Sequence, residues 1–400
     1  MGSGSHRHAL GRSAGYGPGK ALGLSDAAKT ALTAQMNGAV KNGDAPAIVE
    51  IVVNPEGVLY EGASGLPTNT IFSIMSMTKP VTSVAIMILA EEGKLKIDDP
   101  VSKYLDGYDN LQVISKFSAA DATYETRPAK TVMTIKHLLS HTSGLGYAWT
   151  NPIENALTAK TKKGELELPL LNDPGTAFHY SPSTRVLGFI VEKVTGTTLE
   201  AWDQEHIFKP LGMVDTSYAV AADKQSRIAP RFTRATGTIE ALPTAAVPST
   251  PTAPFRGDGD LYSTVEDYSK FVRMLLNGGT LNGTRILSEA SVKRMGKNAI
   301  GSVVLELQPD ADHQRTKPFP LGAGNDKFGL GFQIAADDPT TRGFRSPGSM
   351  SWAGIFNTEF WVDPVKHIGG VHLMQLLPFY DAGAIRALRG FEQTVYRYVH

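Results

Sequence analysis

From residue 25 to 41, apolar side chains recur at helical spacing behind a serine, the pattern of a capped amphipathic helix. Two short runs, 47–53 and 58–63, then flank Asn54-Pro55-Glu56-Gly57, which predicts two strands joined by a hairpin turn. Residues 76–93 return to helical spacing and stop at a glycine, as helices often do. The middle of the chain, 102–254, predicts short helices such as 135–139 and 182–195 between polar and proline-rich loops, with little strand signal. Beyond residue 328 the pattern turns β-rich over 329–334, 355–362 and 369–376, and a final helix is expected over roughly 381–398.

Strands therefore come from both parts of the chain, with a largely helical stretch between them. Short connections between strands favour antiparallel pairing. The fold class expected is α/β: an antiparallel β-sheet flanked by helices, with an inserted, mostly helical domain. The expected division is a disordered lead-in at 1–20, a sheet domain from 21–105 and 255–400, and a helical insertion at 106–254.

The composition narrows the function classes. The 39 basic and 39 acidic side chains cancel, giving no electrostatic reason to expect nucleic acid or an anionic membrane as partner. A small uncharged or weakly charged molecule is favoured. Cysteine is absent, so disulfides, thiolate metal sites and a cysteine nucleophile are excluded. The longest apolar stretch, 84–90, is about two turns of helix and too short to span a bilayer. A cytoplasmic protein is the expectation.

A hydrolase without cysteine or a metal motif needs an activated hydroxyl. The only Gly-x-Ser-x-Gly match, Gly11 to Gly15 around Ser13, lacks the strand before and helix after that a nucleophile elbow requires. Ser76-Met77-Thr78-Lys79 is better placed, at the start of an apolar helix. Residues three apart share a helix face, so the Ser76 hydroxyl and the Lys79 amine can touch. Burial would lower the lysine pKa and make it a usable base. On an exposed helix the same spacing is only a polar face, so context decides.

That context resembles the class C β-lactamase group, and especially its esterase branch, the family VIII carboxylesterases. The resemblance runs over most of the chain. It is carried by Phe72-Ser-Ile-Met-Ser-Met-Thr-Lys79, by Glu92-Gly-Lys-Leu95 and Asp98-Asp-Pro-Val101, and most specifically by Ile135-Lys-His-Leu-Leu-Ser-His-Thr-Ser-Gly-Leu145. Asn172-Asp-Pro-Gly175 followed by Tyr180-Ser181-Pro182 resembles the second motif, Tyr-x-Asn in the lactamases, with proline in the asparagine's place. Trp352-Ala353-Gly354 stands where the lactamases have Lys-Thr-Gly. Both departures point away from β-lactams and toward esters. Gly257-Asp-Gly-Asp-Leu-Tyr-Ser-Thr264 resembles the family's glycine-rich loop, with unusual acidic residues; it reads as pocket-lining, and a capped loop before a helix explains it equally well.

The resemblance implies Ser76 as nucleophile, Lys79 and Tyr180 as the groups that handle its proton, and the backbone N–H groups of Ser76 and Ile355 as the oxyanion hole. It also implies Trp352, Ala353, Gly354, Ser181 and Tyr147 as substrate-binding positions. His137 and His141 are expected to be structural, and the tail histidines His6 and His8 form no metal site. The expected activity is a serine carboxylesterase acting on short- to medium-chain esters through an acyl-enzyme, without cofactor or metal. Acyl transfer to another acceptor, weak β-lactam or D-amino-peptide cleavage, and a catalytically silent binding protein are the alternatives. The oligomeric state is left open.

Overall fold

The computed structural model describes residues 23–338 and 343–399. The lead-in at 1–20, expected to be disordered and including His6, His8 and Ser13, lies outside the described residues.

Seven strands form one antiparallel sheet. In chain order they are β1 (Ile48–Val53), β2 (Val58–Ser64), β3 (Lys327–Phe328), β4 (Gln333–Ile334), β5 (Met350–Gly354), β6 (Thr358–Asp363) and β7 (Ile368–Leu373). Their spatial order is β3-β4-β5-β6-β7-β1-β2. The N-terminal hairpin thus joins the C-terminal strands through the β1–β7 pair, in which Val49 faces Leu373 and Ile51 faces Val371. β1 is buried along its whole length because helices cover both faces of the sheet.

Alternation of side chains gives the two faces different partners. Val52 and Trp361 pack toward α1 (Asp26–Lys41) and the last helix, Ala382–Tyr398, in a core that includes Leu32 and Phe391. Ile51, Phe360 and Val371 point the other way, into the large core shared with α2 (Thr78–Glu91) and the helix Val265–Leu276. Local capping fixes these helices: Ser25 accepts from the Ala28 amide at 3.1 Å, and Asp381 from Ala384 at 3.0 Å.

Three details differ from the sequence pattern. The strand expected over 355–362 is interrupted, because the chain turns at 355–357 with Asn357 in the left-handed region at φ 61°. The Asn357 amide holds that turn by donating to the carbonyls of Leu376 and Pro378 at 2.7 and 2.9 Å. Trp352-Ala353-Gly354 therefore ends its own strand, β5. The run 329–334 contributes only Gln333–Ile334 to the sheet. Finally, the stretch with little strand signal contains a hairpin, Gln112–Ser118 with Thr123–Pro128. Both of its faces are largely exposed, so it has no buried side to write an alternating pattern.

Candidate active site

The chain enters the site through a strained turn. Met75 takes φ 45°, a region that side-chain-bearing residues seldom occupy, and Met75–Met77 then forms a single 3-10 turn ahead of α2. Ser76 sits in that turn, half-buried, and Lys79 lies on the first turn of α2 with 2 % exposure. The Lys79 Nζ donates to Ser76 Oγ at 3.1 Å, the contact the i, i+3 spacing predicts.

Two further acceptors surround the amine. Nζ donates to the Tyr147 hydroxyl at 2.9 Å and to the Asp258 carbonyl at 2.7 Å. The Tyr147 hydroxyl in turn donates to Asp258 Oδ2 at 2.6 Å. Arg185 closes the arrangement with a two-pronged pair to Asp258, Nε to Oδ1 at 3.0 Å and Nη2 to Oδ2 at 2.9 Å.

Burial dominates the electrostatics here. Desolvation lowers the Lys79 pKa to about 7, against the pull of the Asp258 carboxylate and with help from Arg185 and Arg256. About half of such lysines are neutral at pH 7, against roughly one in three thousand for an ordinary lysine at 10.5. Burial opposes ionisation of Asp258 as well, but Lys79, Arg185 and Arg256 hold its carboxyl well below the usual carboxylate range. When Lys79 is neutral, its two N–H bonds remain committed to Tyr147 and Asp258. Its lone pair is then left facing the Ser76 hydroxyl.

Tyr180 stands on the other side of Ser76. Its hydroxyl accepts from Trp352 Nε1 at 3.2 Å and is hydrogen-bonded with Ser76. Burial pushes the phenol above its ordinary range, so it keeps its proton at neutral pH. The Ile135–Leu145 signature positions this tyrosine. His141 Nδ1 meets Ser181 Oγ at 3.0 Å, Ser181 meets Ser183 at 2.6 Å, and the His141 ring lies 5.0 Å from the Tyr180 ring. His141 is held neutral, well below its usual pKa, chiefly by burial and then by nearby Lys79.

Ser76, Tyr180, Trp352, Ala353, Gly354 and Ile355 together line one narrow cleft. Gly354 is required for this convergence. A Cβ there would collide with the Ile74 carbonyl and the Thr358 hydroxyl, so glycine lets the end of β5 close on the segment leading to Ser76. Ser76 and Ile355 thereby bring their backbones to the same space. Ser181 is instead fully buried behind Tyr180 in the hydroxyl network, and Tyr147 lies behind the cleft lining, its hydroxyl holding Lys79 and its ring packed on Tyr180 and Trp149 at 5.1 and 5.4 Å.

Four contributors escape motif reading. Asp258 and Arg185 form the charged support behind Lys79, while Trp149 and Phe379 complete the cleft wall. The acidic residues of the 257–264 loop were the available signal for Asp258. Arg185 and the two aromatic residues meet the site only through tertiary packing, with Trp149 edge-on to Tyr180 at 5.9 Å. Among the described residues no helix is long and apolar enough to cross a membrane, and no cluster of side chains suits a metal ion.

Known proteins resemble this chain in sequence or in fold. Protein Rv1367c of Mycobacterium tuberculosis is 33 % identical over 353 residues, covering 82 % of this chain and 83 % of its own. The ML-236A carboxylate methylbutanoyltransferase mlcH of Penicillium citrinum is 27 % identical, covering 83 % and 82 %. The solved structure of the LovD6 mutant of simvastatin synthase from Aspergillus terreus superposes with a TM-score of 0.79 at 24 % identity, over 92 % of this chain and 95 % of that one. The family model described as Beta-lactamase matches residues 32–393, nearly the whole of the described fold, and the chain belongs to that family.

Proposed function

We propose that the protein is a serine carboxylesterase that cleaves short- to medium-chain esters through an acyl-enzyme on Ser76. The observation that carries this reading is the 3.1 Å contact between Ser76 Oγ and a buried lysine whose pKa is lowered to about 7. Neutral Lys79 takes the Ser76 proton as Oγ attacks the ester carbonyl, and the resulting oxyanion is received by the N–H groups of Ser76 and Ile355. Tyr180, protonated at neutral pH, passes a proton to the departing alkoxide and is recharged from Lys79. Water then attacks the acyl-enzyme with Lys79 again accepting the proton. Lys79 returns that proton to Ser76 Oγ as its bond to the acyl carbon breaks, so the carboxylic acid leaves and both Ser76 and neutral Lys79 are restored.

Esters are favoured over β-lactams by the wall of the cleft. An indole at Trp352 replaces the motif lysine that would meet a lactam carboxylate, and its N–H is engaged by Tyr180. The reading takes a small ester as partner, no cofactor, and a cytoplasmic location. The test is hydrolysis of p-nitrophenyl butanoate and hexanoate beside nitrocefin, with Ser76→Ala as control. Ester turnover that vanishes in Ser76→Ala, with little nitrocefin cleavage, is the expected result. Dominant nitrocefin cleavage, or failure of an activated ester or fluorophosphonate to label Ser76, overturns it.

A second reading is acyl transfer, favoured by the methylbutanoyltransferase among the relatives. It uses the same acyl-enzyme with an alcohol in place of water. An added alcohol acceptor that diverts most of the butanoyl group into a new ester would favour it.

A further inference from the structure

The strand pair that ends beside the catalytic cleft begins at a second concavity. β5 and β6 hold Gly354 opposite Thr358 at the cleft, and Met350 opposite Val362 at their far end. Four residues of extended chain put those two ends about 13 Å apart. At the far end a groove of about 580 Å³ opens between the strands and the closing turns of two helices, Val265–Leu276 and Glu289–Met295. Its volume falls in the range of small-molecule sites.

The floor of this groove is hydrocarbon. Leu275, Val292, Met350 and Val362, each largely buried, line it with half-buried Leu276 beside them. Gly296 and Gly348 also line it and bring no side chain into the space. The rim is charged and unbalanced. Lys293 pairs with Glu289 at 2.8 Å, one turn away on an exposed helix face. Lys297 lines the groove as well, and among the described residues it has no ion-pair partner. Two lysines against one carboxylate leave an excess of one positive charge at the mouth. The carbonyl ends of both helices draw lysines to this rim, and ammonium groups thereby edge an apolar floor that no part of the described chain covers.

We propose that this groove binds a medium-chain monocarboxylate, with its chain on the floor formed by Leu275, Val292, Met350 and Val362 and its carboxylate at Lys293 and Lys297. The apolar floor takes the chain out of water, and one carboxylate brings the single negative charge that the rim lacks. The choice of chain length rests on the ester reading of Ser76, whose products are acids of this class, whereas the binding itself needs no catalysis. The groove is separate from the cleft, so its occupant is a second ligand and not part of the reacting ester.

The experiment is calorimetric titration of the Ser76→Ala protein with octanoate and with 1-octanol. Octanoate should bind about five-fold more tightly or better, the gain expected of two partly exposed lysines. Lys293→Gln combined with Lys297→Gln should abolish that preference. Glu289→Gln, which frees Lys293, should tighten octanoate roughly two- to five-fold and leave 1-octanol unchanged. All three positions are exposed, so these variants should fold. Leu276→Trp, which lays an indole over the floor, should weaken both ligands about five-fold or more. Equal binding of the two ligands overturns the proposal. So does a preference that survives the lysine changes, which would seat octanoate in the catalytic cleft, or binding of both ligands that ignores Leu276→Trp. Turnover of p-nitrophenyl butanoate by the parent enzyme judges the acyl-enzyme reading separately, and the lysine changes should leave it unaltered.

Discussion

Lys79 donates to the backbone carbonyl of Asp258 at 2.7 Å, while the carboxylate of the same aspartate is held by Tyr147 and Arg185. One residue thus orients the amine through its main chain and opposes its deprotonation through its charge. Asp258→Asn keeps the carbonyl and removes the charge. Lys79 should then titrate lower, moving the acid limb of kcat/KM below about 7. Arg185 is left without its buried partner, so chemical denaturation should show a loss of about 3–5 kcal/mol.

The pH dependence of the parent enzyme follows from the same amine. A base must be neutral to accept a proton, so kcat/KM should rise with pH through about 7 and level off above it. Tyr180 adds no falling limb near neutrality, because burial keeps its proton on. Lys79→Arg places a cation that does not deprotonate in the same space and should lower kcat by about 10²–10⁴ at every pH. An acid limb unchanged near 7 in Lys79→Arg would assign the base elsewhere.

Trp352→Phe tests how Tyr180 is aimed. The substitution keeps an aromatic wall and deletes the Nε1–H that the Tyr180 hydroxyl accepts. A net hydrogen bond is worth about 0.5–1.5 kcal/mol, so kcat should fall roughly two- to ten-fold with the melting temperature little changed. Steady-state kinetics on p-nitrophenyl butanoate beside thermal unfolding separates the two effects.

Gly354→Ala should push the end of β5 away from the segment before Ser76, because the new methyl meets the Ile74 carbonyl and the Thr358 hydroxyl. Misplacing the Ile355 N–H amounts to losing one oxyanion donor, about 2.7–4 kcal/mol, or 10²–10³ in kcat. Retained far-ultraviolet circular dichroism with that loss is the expected pair of results. Near-parental activity would remove Ile355 from the oxyanion hole.

The sequence displays the contact between Ser76 and Lys79 because both lie within one helical turn, where spacing and geometry are nearly the same thing. Tyr180, Trp352 and Gly354 become legible through motifs and not through any local period. Asp258 and Arg185 are 73 residues apart and meet only because the helix Ser183–Thr195 packs against α2, so no window of the chain contains their pairing. The turn at Asn357 is hidden for another reason: its neighbours are all apolar or β-prone, and a single left-handed asparagine overrides them. The hairpin at 112–128 is hidden by exposure, since a strand wet on both faces has no hydrophobic alternation to show.

The pairing of β1 with β7 has a consequence for biosynthesis. Val49 meets Leu373 across more than 300 residues of chain, and β1 has no other neighbour on that side. While a ribosome is still making the middle of the chain, the hairpin β1–β2 is complete but presents a strand that is apolar except for Glu50, with an open edge, the sort of edge that recruits foreign strands. The catalytic strand β5 reaches β1 only through β6 and β7, so the nascent protein cannot assemble its sheet until the last quarter of the chain has emerged. Recovery of soluble enzyme should therefore depend on holdase chaperones and slow expression more than on the stability of the finished fold.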